Sequence, residues 1–429
     1  MKPLDISTSF QQTDSDLLIS GVSLIKIIDD FGTPLYVYDA ETIRRRYNHL
    51  RENLPPEIDI FYAMKANPNK AIVRLLTNLG TGVEVASRGE LLLCEELGID
   101  PDNIVFAGPS KTIDDLTKAI DLGIYSINVE SLQELRRISR LSQQRGKTTS
   151  IELRLNPEFH VDGAVVNMGG GSQKFGIDIE MLPAVLEAAL RLPNIHLNGI
   201  HVFSATGILG SEGFLGNLEN CVGLAERVNS HYPVLSLDVG GGLGIPYKDG
   251  EVELSISGIN ERIQSLFDRY KFLRDNNTRV ILEPGRYLVG QSGVYISRVE
   301  YTKTSRGEDY VLTDGGVHQL LRPALLRTSH PTFNLSRRTE ETGRYNIGGT
   351  LCTPIDFIAR GIELPRDTQE GDLIGAFCSG AYGYTESMPL FLSHDMPSEV
   401  LVHDGRYSEI RQPTTVEEVL RKQRIPREL

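Results

Sequence analysis

Cysteine is scarce. The four residues, Cys94, Cys221, Cys352 and Cys378, stand far apart in 429 positions, which excludes a disulfide framework and any paired metal-ligand spacing. No metal site is expected. Basic residues are outnumbered, 44 Lys+Arg against 57 Asp+Glu, and the net charge of −13 disfavours binding to a phosphate backbone or an anionic membrane surface. No stretch supplies the roughly 18 apolar residues that span a bilayer. Met1–Asp30 also lacks a basic start followed by an unbroken apolar run. A soluble, cytoplasmic protein with neither nucleic-acid nor membrane partners is expected. Internal repeats and low-complexity tracts are missing too, and 40% hydrophobic with 24% charged residues is an ordinary globular mix.

What is present is a regular alternation. Short β-rich apolar runs occur at Ile58–Tyr62, Gly82–Val85, Ile104–Ala107, Tyr125–Val129, Ile151–Leu155, Leu197–Phe203, Leu235–Val239 and Arg279–Glu283. Between them, segments such as Lys70–Leu79, Thr112–Ile120, Ser131–Gln144 and Met181–Leu192 space apolar residues three and four apart, as one-sided helices do. Eight such units in about 250 residues predict an α/β fold, a (β/α)8 TIM barrel. Beyond Pro284 the pattern changes to short strands at Val294–Tyr301, Asp309–Thr313, Asp372–Phe377 and Glu399–His403, without regular helices between them. The predicted organisation is a barrel over 36–287 and a β domain, a sandwich or small barrel, over 1–35 and 288–429. A charged surface helix is expected at Thr415–Lys422.

Barrel enzymes place their working residues at the carboxyl ends of the strands, with phosphate often held after strands seven and eight. After the seventh run comes Gly240-Gly241-Gly242-Leu243-Gly244, where missing side chains let backbone N–H groups approach an anion. After the eighth comes Glu283-Pro284-Gly285-Arg286-Tyr287, which adds a guanidinium. A glycine run also serves simply to turn the chain. At the end of the first run, Lys65 in Tyr62-Ala63-Met64-Lys65-Ala66-Asn67 faces the barrel mouth. Alone it reads as a solvated loop lysine; opposite a phosphate cup it suggests a Schiff base to pyridoxal 5′-phosphate. Glu283 would then sit beside the pyridine nitrogen, or else be an ordinary salt-bridge glutamate.

These residues resemble the fold-type III pyridoxal-phosphate decarboxylases, which include the diaminopimelate and ornithine decarboxylases. The likeness covers nearly the whole chain through Tyr62–Asn67, Val83–Ser87, Arg154–Pro157, Lys174–Gly176, Gly240–Gly242, Glu283–Arg286, Asp314–Gly316, Cys352 and Gly380–Tyr382. The resemblance implies an alanine racemase-like pairing of barrel and β domain, in a homodimer with shared active sites. It implies that Lys65 holds the cofactor and that Glu283 faces the ring nitrogen. Gly240, Gly241, Gly242, Gly285, Arg286 and Tyr382 would contact the phosphate region, and Cys352, reaching over from the neighbouring subunit, would protonate Cα after carbon dioxide leaves. Cys94, Cys221 and Cys378 read as buried structural residues.

Departures from the family pattern bear on the substrate. Phe203 stands where a cofactor-stacking histidine is usual; it can stack but not hydrogen-bond. Thr353 follows Cys352 where diaminopimelate enzymes carry a glutamate, and ornithine enzymes an aspartate, for the distal ammonium. Arg322 matches a carboxylate-binding arginine, but Leu326 replaces the tyrosine expected nearby. Asp314 and Asp356 are the acids that could substitute at the substrate, and Arg322 could instead pair with Asp314. Phe203 with Thr206, Asn167–Gly171 and Cys352-Thr353-Pro354 is more similar to the branch acting on carrier-protein-tethered or modified amino acids. The implied function is α-decarboxylation of an amino acid or aminoacyl group in specialised biosynthesis. Alternatives are a diaminopimelate decarboxylase of lysine biosynthesis, an amino-acid racemase and a non-catalytic pyridoxal-phosphate-binding regulator.

Overall fold

In the computed structural model, residues 9–13, 16–161, 166–167, 169, 171–248 and 250–427 are described. The chain divides into two units. One holds Arg46–Pro246 and Val252–Leu288, and the other holds the residues up to Arg45, Tyr247–Glu251 and the chain from Val289 onward.

The first unit is the expected barrel. Its strands are Ile58–Ala63 (β1), Gly82–Val85 (β2), Ile104–Phe106 (β3), Ser126–Val129 (β4), Thr149–Asn156 (β5), Ile195–Val202 (β6), Ser236–Asp238 (β7) and Arg279–Leu282 (β8). All pair in parallel, β8 with β1 and β4 with β5, so the sheet closes on itself. Because both faces are covered, these strands read as continuous apolar runs rather than as alternation. The connecting helices carry local start and stop signals. Thr112 and Asp115 form a reciprocal cap on Ile113–Leu122, which Gly123 ends in a left-handed turn at φ 71°. Ser87 and Ser131 cap Arg88–Glu96 and Leu132–Gln144. Each cap is worth about 1 kcal/mol. Phe61, Val105 and Ile281 fill one apolar layer inside the barrel.

The second unit is rich in sheet. Its main path runs Phe357–Pro365, Thr342–Gly348, Glu308–Thr313, Gly293–Ser305, Leu35–Asp39, Ser398–His403 and Arg406–Arg411. Gly293–Ser305 organises it, pairing with Leu35–Asp39 and Leu373–Phe377 through its buried first half and with Glu308–Thr313 through its exposed second half. Leu35–Asp39, which a boundary at residue 36 assigns to the barrel, therefore belongs to this sheet. The sequence cannot reveal this, because its partners lie more than 250 residues away. The core of the unit packs Leu17, Ile19, Leu24 and Ile27 from the start of the chain against Val37, Val294, Ile296 and Val400. Val416–Leu420 is helical within the stretch expected to be so. Among the described residues, no helix is long and apolar enough to cross a membrane.

Candidate active site

Lys65 sits in the single turn Met64–Ala66 that ends β1. Its Nζ donates to Oε2 of Glu84 at 2.7 Å and lies 5.8 Å from the centre of the Phe203 ring. Glu84, on β2, is 1% exposed; burial raises its pKa, and the charge of Lys65 works against that rise. Lys65 itself stays accessible, with 40% of its side chain exposed.

Glu283 follows β8. Its Oε2 lies 3.6 Å from Nε2 of His201 on β6, and Asp238 on β7 completes a buried group whose polar atoms fall within 4.8 Å of one another. Burial opposes ionisation of Glu283, but His201, Lys65 and Asp238 outweigh it and hold the carboxyl at about 2. Asp238 moves the other way, well above the ordinary carboxylate range, through burial and the charges of Glu283 and Glu152. The two carboxyls are thus pushed in opposite directions, Asp238 toward its neutral form and Glu283 toward its anion. Oε1 of Glu283 is buried and has no hydrogen-bond partner among the described residues. A buried carboxylate oxygen in that state calls for a donor.

The glycine run is sterically obligatory. A Cβ on Gly241 would lie 2.1 Å from the Glu283 carbonyl oxygen, and one on Gly242 would lie 2.5 Å from the Ala205 carbonyl oxygen. Gly240 and Gly242 also have φ of 65° and 95°, conformations that favour glycine. The Gly240 N–H is held by Asp238 at 2.8 Å, whereas those of Gly241 and Gly242 have no acceptor among the described residues. Gly285 packs on the end of β1, where its Cβ would meet Ala66 and Ala63 at 3.0 and 3.1 Å. Arg286 begins the short helix Arg286–Val289 and is half-buried. Thr206 lies on the two-residue strand Ala205–Thr206, paired with Val166–Asn167. Within Asn167–Gly171, Met168 and Gly170 lie outside the described residues.

In the β unit, Cys352 is exposed, whereas Cys94, Cys221 and Cys378 are buried. Burial pushes the Cys94 and Cys221 thiols up to about 12, which makes them poor nucleophiles. Asp356 shapes the Cys352 loop: its Oδ1 accepts the Val317 N–H at 2.8 Å and its Oδ2 accepts the Leu351 N–H at 2.7 Å. Asp314 is engaged likewise, by the Thr33 hydroxyl at 2.6 Å and the Arg298 N–H at 2.7 Å. All four oxygens of these two acids thus accept a hydrogen bond from the protein's own donors. Arg322 is not among these donors; its guanidinium lies 4.4 Å from the centre of the Tyr247 ring. Thr353 is half-buried beside Cys352. Tyr382 adopts φ 54° in a loop fixed by bonds from Ser379 N–H to Gly293 and from Gly380 N–H to Gly290.

Sequence reasoning gave no role to Glu84, His201, Asp238 or Glu152. The available signal was a titratable residue flanked on both sides by apolar ones within a buried strand, as in Val83-Glu84-Val85.

Residues 40–290 match the family described as pyridoxal-dependent decarboxylase, pyridoxal binding domain. The chain belongs to that family. It is 35% identical over 404 residues to the L-glutamyl-[BtrI acyl-carrier protein] decarboxylase of Niallia circulans, covering 92% of this chain and 94% of that one. The diaminopimelate decarboxylase of Aquifex aeolicus is 34% identical, with 93% of each chain covered. Among solved structures, a diaminopimelate decarboxylase from M. jannaschii superposes with a TM-score of 0.89 at 28% identity, over 99% of both chains. This decarboxylase is accordingly a fold-type III carboxy-lyase whose barrel is a pyridoxal-binding domain.

Proposed function

We propose that this decarboxylase removes the α-carboxyl of an aminoacyl group whose distal end is a carboxylate, an amide or a thioester-linked carrier arm, and that free meso-diaminopimelate is a poor substrate. The observation that carries this reading is Thr353 beside Cys352, together with the engagement of both nearby acids, Asp314 and Asp356, by the protein's own donors. A desolvated ammonium needs a counter-charge or a full set of acceptors. Arg322 suits a carboxylate or carbonyl oxygen instead. The carrier-bound substrate named for the relative from N. circulans supports the same choice.

The barrel residues fit pyridoxal phosphate. The N–H groups of Gly241 and Gly242, which have no acceptor among the described residues, offer donors to a phosphate. Arg286 and Tyr382 are proposed as further phosphate ligands, and Phe203 as the ring that stacks on the cofactor. The buried Oε1 of Glu283 awaits a donor, which the pyridine N–H would supply. When bound, the cofactor provides an electron sink for the pair left at Cα as carbon dioxide departs. Glu283, held ionised, keeps the proton on the ring nitrogen. Lys65 holds the cofactor by its Nζ, and Glu84 orients that amine. Cys352 is proposed to give the proton to Cα, serving the barrel of a second subunit in a homodimer.

The test is carbon dioxide release, compared as kcat/KM, for glutamyl- and aspartyl-carrier thioesters, free glutamate, diaminopimelate, lysine and ornithine. A carrier thioester or an acidic amino acid should lead. A clear lead for free diaminopimelate would assign the enzyme to lysine biosynthesis instead.

A further inference from the structure

Helix Arg322–Leu326 and strand Phe357–Pro365 pack together in the β unit and leave a groove of about 370 Å³ between them. Ala324 and Arg327 line one wall, and Pro354, Ile355, Phe357 and Arg360 line the other. Two features set it apart on a chain of net charge −13. First, it carries two exposed guanidiniums, and among the described residues neither Arg327 nor Arg360 forms an ion pair with a carboxylate. Arg360 is held in place, its guanidinium 3.4 Å from the centre of the Phe357 ring and donating to the Pro354 carbonyl at 3.3 Å. Second, Ile355 lines it at 51% exposed, and Leu325 at 58% and Leu326 at 49% stand exposed in the chain between its lining residues Ala324 and Arg327.

The position of the groove ties it to the substrate. Arg322 opens the helix that forms one wall, and Thr353 immediately precedes Pro354 of the other. Those are the two residues assigned above to the distal end of the substrate; neither lines the groove, but each is the chain neighbour of a lining residue, Pro323 and Pro354. A ligand matching its chemistry is a long, mostly uncharged arm bearing one phosphate. The apolar lining residues suit the chain, and a guanidinium on each wall suits the phosphate, which arginine binds through charge-assisted N–H groups.

We propose that this groove binds the phosphopantetheine arm of a carrier-tethered substrate, with Arg327 and Arg360 on its phosphate. The inference rests on the carrier-bound reading of the function but concerns a separate event, recognition of the arm. It is therefore tested without turnover.

The probes are 4′-phosphopantetheine and pantetheine, which differ only in the phosphate, titrated by calorimetry into the intact wild-type holoenzyme. The phosphorylated probe should bind about tenfold tighter or better. Arg327→Gln and Arg360→Gln should each reduce that preference, and the double variant should abolish it while pantetheine affinity stays unchanged. The single variants carry the test if the double variant fails to fold. Equal affinity for the two probes in the wild type, or a preference surviving in the double variant, overturns the proposal. So does a change of subunit assembly by sedimentation with the phosphate preference intact, which would make the groove a contact between copies. If the preference is found but free diaminopimelate leads in the carbon dioxide assay, the groove stands and the functional reading falls.

Discussion

Inside the barrel, Glu84, Glu152, Asp238 and Glu283 are each at most 3% exposed, and their surroundings are other titratable side chains. In the β unit, Asp314 and Asp356 are surrounded instead by backbone N–H groups and a hydroxyl. The same residue type therefore does different work. In the barrel, burial and then charge shift the carboxyls' pKa values; in the β unit, Asp356 holds the loop of Cys352 and Asp314 ties Thr33 to Arg298. Changing a barrel acid should alter chemistry and pH response, whereas changing a β-unit acid should alter stability.

The largest effect is expected at Glu283. Glu283→Gln keeps the volume but removes the charge, and kcat for carbon dioxide release should fall by about 10²–10⁴ with the melting temperature nearly unchanged. A loss of less than threefold would remove Glu283 from the chemistry. Next comes Asp356→Ala, which strands the N–H groups of Val317 and Leu351. At about 1–3 kcal/mol for each buried donor left without a partner, denaturant unfolding should show a clear drop in stability. An unchanged midpoint would show that Asp356 does not hold the loop.

The pH dependence of stability separates the two regions further. Glu152 on β5 is 0% exposed. Burial, with help from the charge of Glu283 and against Ser236 and Arg279, pushes its carboxyl up to about 8 from an ordinary 4.5. Since the folded pKa is the higher one, the folded state binds more protons than the unfolded state between those values. Its contribution to stability is thus fully present below about 4.5 and is lost as the pH rises through about 8. The slope is at most about 1.4 kcal/mol per pH unit. Glu152→Gln should flatten that decline in urea titrations from pH 5 to pH 9, as set by the same window. An identical slope in the variant would mean that Glu152 is ionised throughout. Smallest is Thr353→Glu. A partly exposed ion pair is worth about 1 kcal/mol, so kcat/KM for free diaminopimelate should rise roughly fivefold; no gain would detach residue 353 from substrate choice.

The barrel was legible because strands buried on both faces leave unbroken apolar runs, and all eight are found where those runs lie. Lys65, Glu283 and the glycine run were legible because they end strands, where a barrel keeps its chemistry. Thr342–Gly348 and Phe357–Pro365 escaped notice because they are half-exposed and interrupted by Arg344, Arg360, Gly361 and Glu363. The tasks of Asp314 and Asp356 are set by partners distant in sequence or by loop geometry, which leave no local pattern. Asp238 and Glu152 were hidden for a related reason: burial and the charge of Glu283, which follows another strand, raise the pKa of both.

The most direct measurement is to find the amine that holds the cofactor. Borohydride reduction of the purified yellow protein fixes pyridoxal phosphate covalently to that amine, and peptide mass mapping then identifies it. The expected result is a single phosphopyridoxyl group on the peptide containing Lys65, together with a colourless Lys65→Ala protein that cannot be labelled. Label on a different lysine, or a wild-type protein that takes up no cofactor on reconstitution, would contradict the assignment of Lys65 and Glu283 as the centre of the site.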